Sequence, residues 1–227
     1  MIEQISFWGI PLIYWLLVAA FVLPRIPYVG KFFNVINTGI HELGHALMAL
    51  ILQGQVLKIE LFGDTSGNAV TKSANNFTAM LVSLSGYLFA SAMAYAAFYL
   101  IQVGYVHGFI IGLSLVFLLM LIFWVRNWFG VVWVLFFVAL NAFLIYFGNE
   151  LYIQIAALFY AVMILIESVW STLVVLFLSV VHPNEAGDAA NLQKQTHIPA
   201  FIWSLLFVAF AGFIAYKVII DFLLPLF

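Results

Sequence analysis

Seven stretches of this sequence are apolar for roughly 20 residues or more, and they decide what the chain can become. They fall at about 5–23, 30–53, 76–102, 106–125, 128–147, 150–181 and 199–224. About 20 helical residues cross the ~30 Å hydrocarbon core of a bilayer. In lipid the backbone polar groups must pair internally, which helices achieve alone. The expected fold is therefore an all-α polytopic membrane protein of about six to seven transmembrane helices. Composition agrees: 67% of the 227 residues are hydrophobic and 7% charged, against about half and a quarter in an ordinary soluble domain.

The first run carries Glu3 before it and Arg25 after it, with no basic lead and no small-residue cleavage site, so it reads as a retained span. Only residues 54–75 and 182–198 connect runs by more than a tight turn, and both are too short for an independent domain. Residues 1–227 thus read as a single membrane-embedded domain. A net charge of -2 without a basic run gives no footing for nucleic acid. The chain has no cysteine, so any bound metal must be held by His, Asp and Glu.

Counting Lys and Arg in alternate loops sets Lys58, Lys72, Arg126 and Lys194 on one side against Arg25 and Lys31 on the other. That favours a cytoplasmic N-terminus. If seven spans are right, residues 54–75 and 182–198 emerge on the same face and can meet.

Period changes in the first connection. Leu57, Ile59 and Leu61 alternate with Lys58, Glu60 and Phe62; Gly63-Asp64-Thr65-Ser66-Gly67 supplies a turn; residues 68–71 can run back. This predicts a β-hairpin over about 55–72. Its backbone cannot face lipid, so it must lie in the headgroups, inside the protein or along a water-filled cavity.

Near the middle of the second run stands His41-Glu42-Leu43-Gly44-His45, an HExxH motif. Residues four apart share a helix face, so both imidazoles can turn to one ion, with Glu42 on the same arc. Zn²⁺ held this way needs a third protein ligand and keeps an open position for water, whose pKa it lowers toward about 7. Glu42 is the candidate general base, taking the water's proton and delivering it to a leaving amine. Ionisable groups at a helix centre cost about 2.5–3.5 kcal/mol on insertion scales and are normally functional. Three polar side chains on one turn beside helix-weakening Gly44 therefore argue for a metal site.

The third ligand must come from elsewhere. Met48 and Ile51 stand where an extended H-x-x-G-x-x-H pattern needs Gly and His. Glu60 and Asp64 have E-x-x-x-D spacing but fall in the hairpin. Glu167, Glu150 and His107 read as structural, and Lys217 with Asp221 as a self-neutralising i,i+4 pair. The polar segment 182–198 offers His182, Glu185, Asp188 and His197. Asp188 is favoured because Gly187 and the alanines after it allow close approach to a neighbouring helix; Glu185 and His182 follow.

HELGHAL at 41–47, the hairpin after it, LSGYLFAS at 84–91, Arg126-Asn127 with Gly130, and GDAANL at 187–192 together resemble the site-2 protease family of intramembrane zinc metallopeptidases. Within it, the chain resembles the compact bacterial branch without appended soluble domains. The resemblance implies zinc bound by His41, His45 and Asp188, with Glu42 as base. It also implies a bacterial cytoplasmic membrane and an HExxH helix running from outside to cytoplasm, which agrees with the loop count. Around Asp188 the chain reads Asn184-Glu185-Ala186-Gly187-Asp188-Ala189, lacking the Pro and the following Gly of the better-known family pattern.

The expected activity is hydrolysis of a peptide bond within or next to a transmembrane segment of a membrane-protein substrate. A helical substrate hides its amides, and a strand edge at Leu57, Lys58, Ile59, Glu60 and Leu61 would bind it once extended. A zinc transporter or channel is the rival from another class, although neither a repeat nor a second HExxH-like cluster supports it. An inactive relative that only holds membrane proteins is the third reading, and an intact Glu42 argues against it.

Overall fold

A computed structural model describes residues 6–7, 10–27 and 29–224. Glu3 and residues 5, 8 and 9 of the first apolar run lie outside them. Strands β1 (Ser6–Phe7) and β2 (Ile10–Pro11) pair briefly before helix α1 (Leu12–Val22). A 3₁₀ turn over Leu23–Arg25, containing Pro24, leads to α2 (Val29–Ile51), and the two helical segments meet at 100°. The 11 residues of α1 reach only about 16 Å at 1.5 Å per residue. The first run therefore makes no full crossing by itself, which corrects the count of seven. Among the described residues, five helices are long and apolar enough to cross a membrane, or six with the bent pair taken as one span.

After α2 come strands β3 (Gln55–Leu61) and β4 (Gly67–Lys72), an antiparallel hairpin as its alternation predicted. Helices α3 (Asn76–Gln102), α4 (Val106–Phe123), α5 (Trp128–Phe147) and α6 (Glu150–Val181) follow. A 3₁₀ turn at Pro183–Glu185, the short α7 (Gly187–Thr196) and α8 (Ala200–Val218) complete the order, with a π-helical end at Ile219–Leu223. Local chemistry marks the boundaries. Asn75 accepts from the Thr78 N–H at 2.9 Å while Thr78 answers the Asn75 N–H, a capping box that starts α3. Asn149 caps α6 through the Tyr152 N–H, and Pro199 precedes α8.

Helices α2, α3 and α6 form the centre, with α8 against α3 and α6. Gly44 carries part of that packing: a Cβ there would come within 2.7 Å of Phe89 Cβ and 3.0 Å of the Ser85 carbonyl oxygen. The residue that looked merely helix-weakening is one where α2 and α3 approach closely, and Ser85 Oγ donates to the Gly44 carbonyl at 3.0 Å. Large apolar side chains such as Phe136, Phe143, Phe177 and Phe213 are exposed on the outside, where lipid rather than water would meet them.

Several charges in and beside the helices are paired. Buried Glu167 of α6 binds Arg25, whose guanidinium lies 4.7 Å and 4.8 Å from the ring centroids of Phe21 and Trp170. This ties the turn after α1 to α6. Lys217 and Asp221 pair at 2.9 Å, and the Tyr95 hydroxyl donates to the same carboxylate at 2.9 Å. His107 and Glu150 stand 3.4 Å apart where α4 and α6 begin.

Candidate metal centre

The HExxH turn lies on the inner face of α2, with Glu42 and His45 buried. His41 Nε2 and His45 Nε2 are 3.0 Å apart, as the i,i+4 spacing requires. Asp188, in the first turn of α7, places Oδ2 at 3.0 Å from His41 Nε2 and 3.1 Å from His45 Nε2. Gly187 makes that approach possible with φ +52°, a left-handed conformation that favours glycine. Buried Ala186, Ala189 and Ala190 then seat α7 against its neighbours.

Among the described residues, His41, His45 and Asp188 form the one group of three or more His, Asp or Glu whose ligand atoms converge. Their atoms make a nearly equilateral triangle of side 3.0–3.1 Å. Tetrahedral donors at about 2.0–2.1 Å from one ion would stand about 3.3 Å apart. Two imidazoles and a carboxylate are also a donor set that zinc accepts. The residues fit the ion.

Surrounding groups hold this arrangement. His45 Nδ1 donates to the Val82 carbonyl at 2.6 Å, which leaves the Nε2 lone pair facing the triangle. The Tyr87 ring stands edge-on to His41 at 4.4 Å between centroids and packs on Phe207 at 4.7 Å. Gly86 of α3 faces the two imidazoles of α2. A Cβ there would fall 2.5 Å from His41 Cε1 and 2.6 Å from His45 Nε2, so only a bare backbone admits both imidazoles.

A polar cleft of about 440 Å³ opens over the triangle, with Glu42 in its wall. Strand β4 forms another wall through Gly67, Asn68, Ala69 and Thr71. Gly67 is again required by closeness, since its Cβ would lie 2.6 Å from both Glu42 Oε1 and Thr38 Cγ2. The hairpin folds back along α2, and Thr38 Oγ1 donates to the Thr65 carbonyl at 2.7 Å. Of the three locations allowed to the hairpin backbone, β4 takes the one along a polar cavity. At the tip, Ser66 donates twice to Asp64, through its N–H at 3.0 Å and its hydroxyl at 2.6 Å. Those bonds hold the exposed Asp64 carboxyl below its usual range.

The strand edge needs correcting. None of Leu57, Lys58, Ile59, Glu60 and Leu61 lines the cleft. The edge of β3 away from β4 is already paired where α4 joins α5. Ile59 donates to the Trp124 carbonyl at 2.7 Å and accepts from the Arg126 N–H at 3.1 Å. Asn127 then clamps Leu61, its Oδ1 accepting from the N–H at 3.1 Å and its Nδ2 donating to the carbonyl at 2.5 Å. In the hairpin register Ile59 faces Ala69 and Leu61 faces Gly67. Antiparallel partners point their backbone groups the same way relative to the ladder. Gly67 and Ala69 therefore direct theirs away from β3, and the Ala69 amide faces the Glu42 carboxylate. The edge at the cleft belongs to β4.

Other candidates for the third ligand stand elsewhere. Glu60 pairs with Lys58 at 2.9 Å, Asp64 is at the hairpin tip, and His182 and Glu185 are exposed in the turn before α7. The sequence reading gave no role to Gly86, Tyr87 or Asn127, although their segments were noticed. Asn37, also in the cleft wall, it did not single out. The available signal was a stripe on α2 of Asn34, Asn37, Thr38, His41, Glu42 and His45, polar at three- and four-residue spacing.

A helical membrane domain that gathers an HExxH turn and a distant aspartate beside a polar cleft has the form of a membrane-embedded metallopeptidase. The chain belongs to the Peptidase M50B-like family, whose pattern it matches over residues 12–218, and so to the site-2 protease family. No curated protein and no solved structure matches it.

Proposed function

We propose that the protein is an intramembrane zinc endopeptidase that hydrolyses a peptide bond within or beside a transmembrane segment of a membrane-protein substrate, in a bacterial cytoplasmic membrane. The observation that carries this reading is the meeting of Asp188 Oδ2 with both HExxH imidazoles across 147 and 143 residues of sequence, with Glu42 in the wall of the same cleft.

His41, His45 and Asp188 would hold a zinc ion. When bound there, zinc would supply an acidified water and a positive charge for the scissile carbonyl. Glu42 accepts a proton from the attacking water and returns it to the departing amine, so water adds across one C–N bond and leaves a carboxylic acid and an amine, which ionise to carboxylate and ammonium. The polar cleft admits that water. The cleft-facing side of β4 receives the substrate as an added strand, which requires the substrate helix to unwind there. This moves the docking edge from β3 to β4.

A single-span reporter protein reconstituted with the purified chain in liposomes tests the reading. It should yield two fragments whose masses sum to the reporter plus one water, with cleavage stopped by a zinc chelator and restored by zinc. An intact reporter, with zinc crossing the membrane equally well in wild type and Glu42→Gln, would instead support the transporter.

A further inference from the structure

Asn37 lies one helical turn before His41 on the same face of α2 and lines the cleft. It is 7% exposed, and its Oδ1 is buried without a hydrogen-bond partner. Asn34 Oδ1 on the same stripe is likewise buried without a partner, but Asn34 does not line the cleft. Asn34 Nδ2 donates to the Pro24 carbonyl at 3.2 Å, and Thr38 Oγ1 reaches Thr65. A buried acceptor left unpaired is costly in a fold, and a native one calls for an explanation.

Asn127 shows what such an amide does in this molecule. Its Oδ1 and Nδ2 take the N–H and C=O of one extended residue, Leu61, replacing a neighbouring strand. A carboxamide has one acceptor and a pair of donors, matching the backbone of an extended peptide. Asn37 offers the same pair in a cleft whose other wall carries the outward backbone groups of β4.

We propose that Asn37 is a substrate-positioning residue that clamps the main chain of an extended peptide beside the metal centre. Oδ1 accepts a substrate N–H and Nδ2 donates to a substrate carbonyl. The clamp reads backbone rather than side chain, so it selects for an unwound segment over a particular residue. This rests on the proteolytic reading above.

Two zinc ligands of different reach separate the possibilities: a leucyl-leucine dipeptide hydroxamate, which carries backbone amides, and acetohydroxamate, which carries none. Their affinities for the zinc-loaded protein in detergent are measured by calorimetry in wild type, Asn37→Ala and Asn37→Asp, with zinc content determined for each. Losing one or two hydrogen bonds should weaken the dipeptide hydroxamate about tenfold in Asn37→Ala, with acetohydroxamate and zinc content unchanged. Asn37→Asp, which keeps the acceptor and loses the donor, should fall between. Equal affinity of all three proteins for the dipeptide compound, or a parallel loss of both compounds or of zinc, would overturn the clamp. Failure of wild type to bind either hydroxamate would instead overturn the proteolytic reading.

Discussion

Glu42→Gln is expected to keep its zinc and lose about 10²–10⁴-fold in peptide cleavage, the usual contribution of a positioned general base. The change preserves size and hydrogen bonding while removing the proton acceptor. Glu42 is not among the three converging ligand atoms, so metal content should not change. Gly67 fits tightly against its carboxylate and should hold the glutamine in the same rotamer. Single-turnover cleavage of a reconstituted reporter, read beside elemental analysis, checks both parts. Cleavage near the wild-type rate would remove Glu42 from the chemistry, and a Gln variant without zinc would make it a ligand.

Gly86→Ala should strike the metal itself. The added methyl would stand 2.5–2.6 Å from atoms of both imidazoles, so α3 must withdraw or the ligands must turn. Withdrawal would also pull the Val82 carbonyl from His45 Nδ1, where it now accepts at 2.6 Å. Losing such an outer contact alone typically costs about 10–100-fold in metal affinity, and the steric conflict adds to it. Gly112→Ala is the control, because a Cβ there meets nothing within 4 Å. Zinc affinity by competition with a chelating dye should fall at least tenfold in Gly86→Ala and stay unchanged in Gly112→Ala. Full affinity in both would mean that the α2–α3 contact is looser than described.

What was legible in the sequence followed from local periodicity. His41 and His45 share a face because the helix repeat places them there, and the hairpin announced itself through alternation at Leu57, Ile59 and Leu61. Asp188 stood out because polarity is concentrated in one segment of an otherwise apolar chain. The features that were not legible depend on partners distant in sequence. Apolar composition says where a helix is tolerated, not that Pro24 will turn the chain after 11 residues of α1. Which hairpin strand faces the cleft depends on a pairing between Ile59 and residues 124–126 and on a side chain, Asn127, that imitates a strand. Gly86 is defined by the two imidazoles opposite it. In sequence it is one small residue in a helix that also holds Ser83, Ser85 and Ser91.

The central claim, that an HExxH turn and Asp188 bind one catalytic ion, is tested most directly by zinc content. Elemental analysis of detergent-purified protein should find about one zinc per chain in wild type, as expected for a three-ligand catalytic site. The same measurement should find zinc retained in Glu42→Gln and lost in His45→Ala and Asp188→Ala. Zinc absent from wild type, or fully retained by Asp188→Ala, would contradict the account.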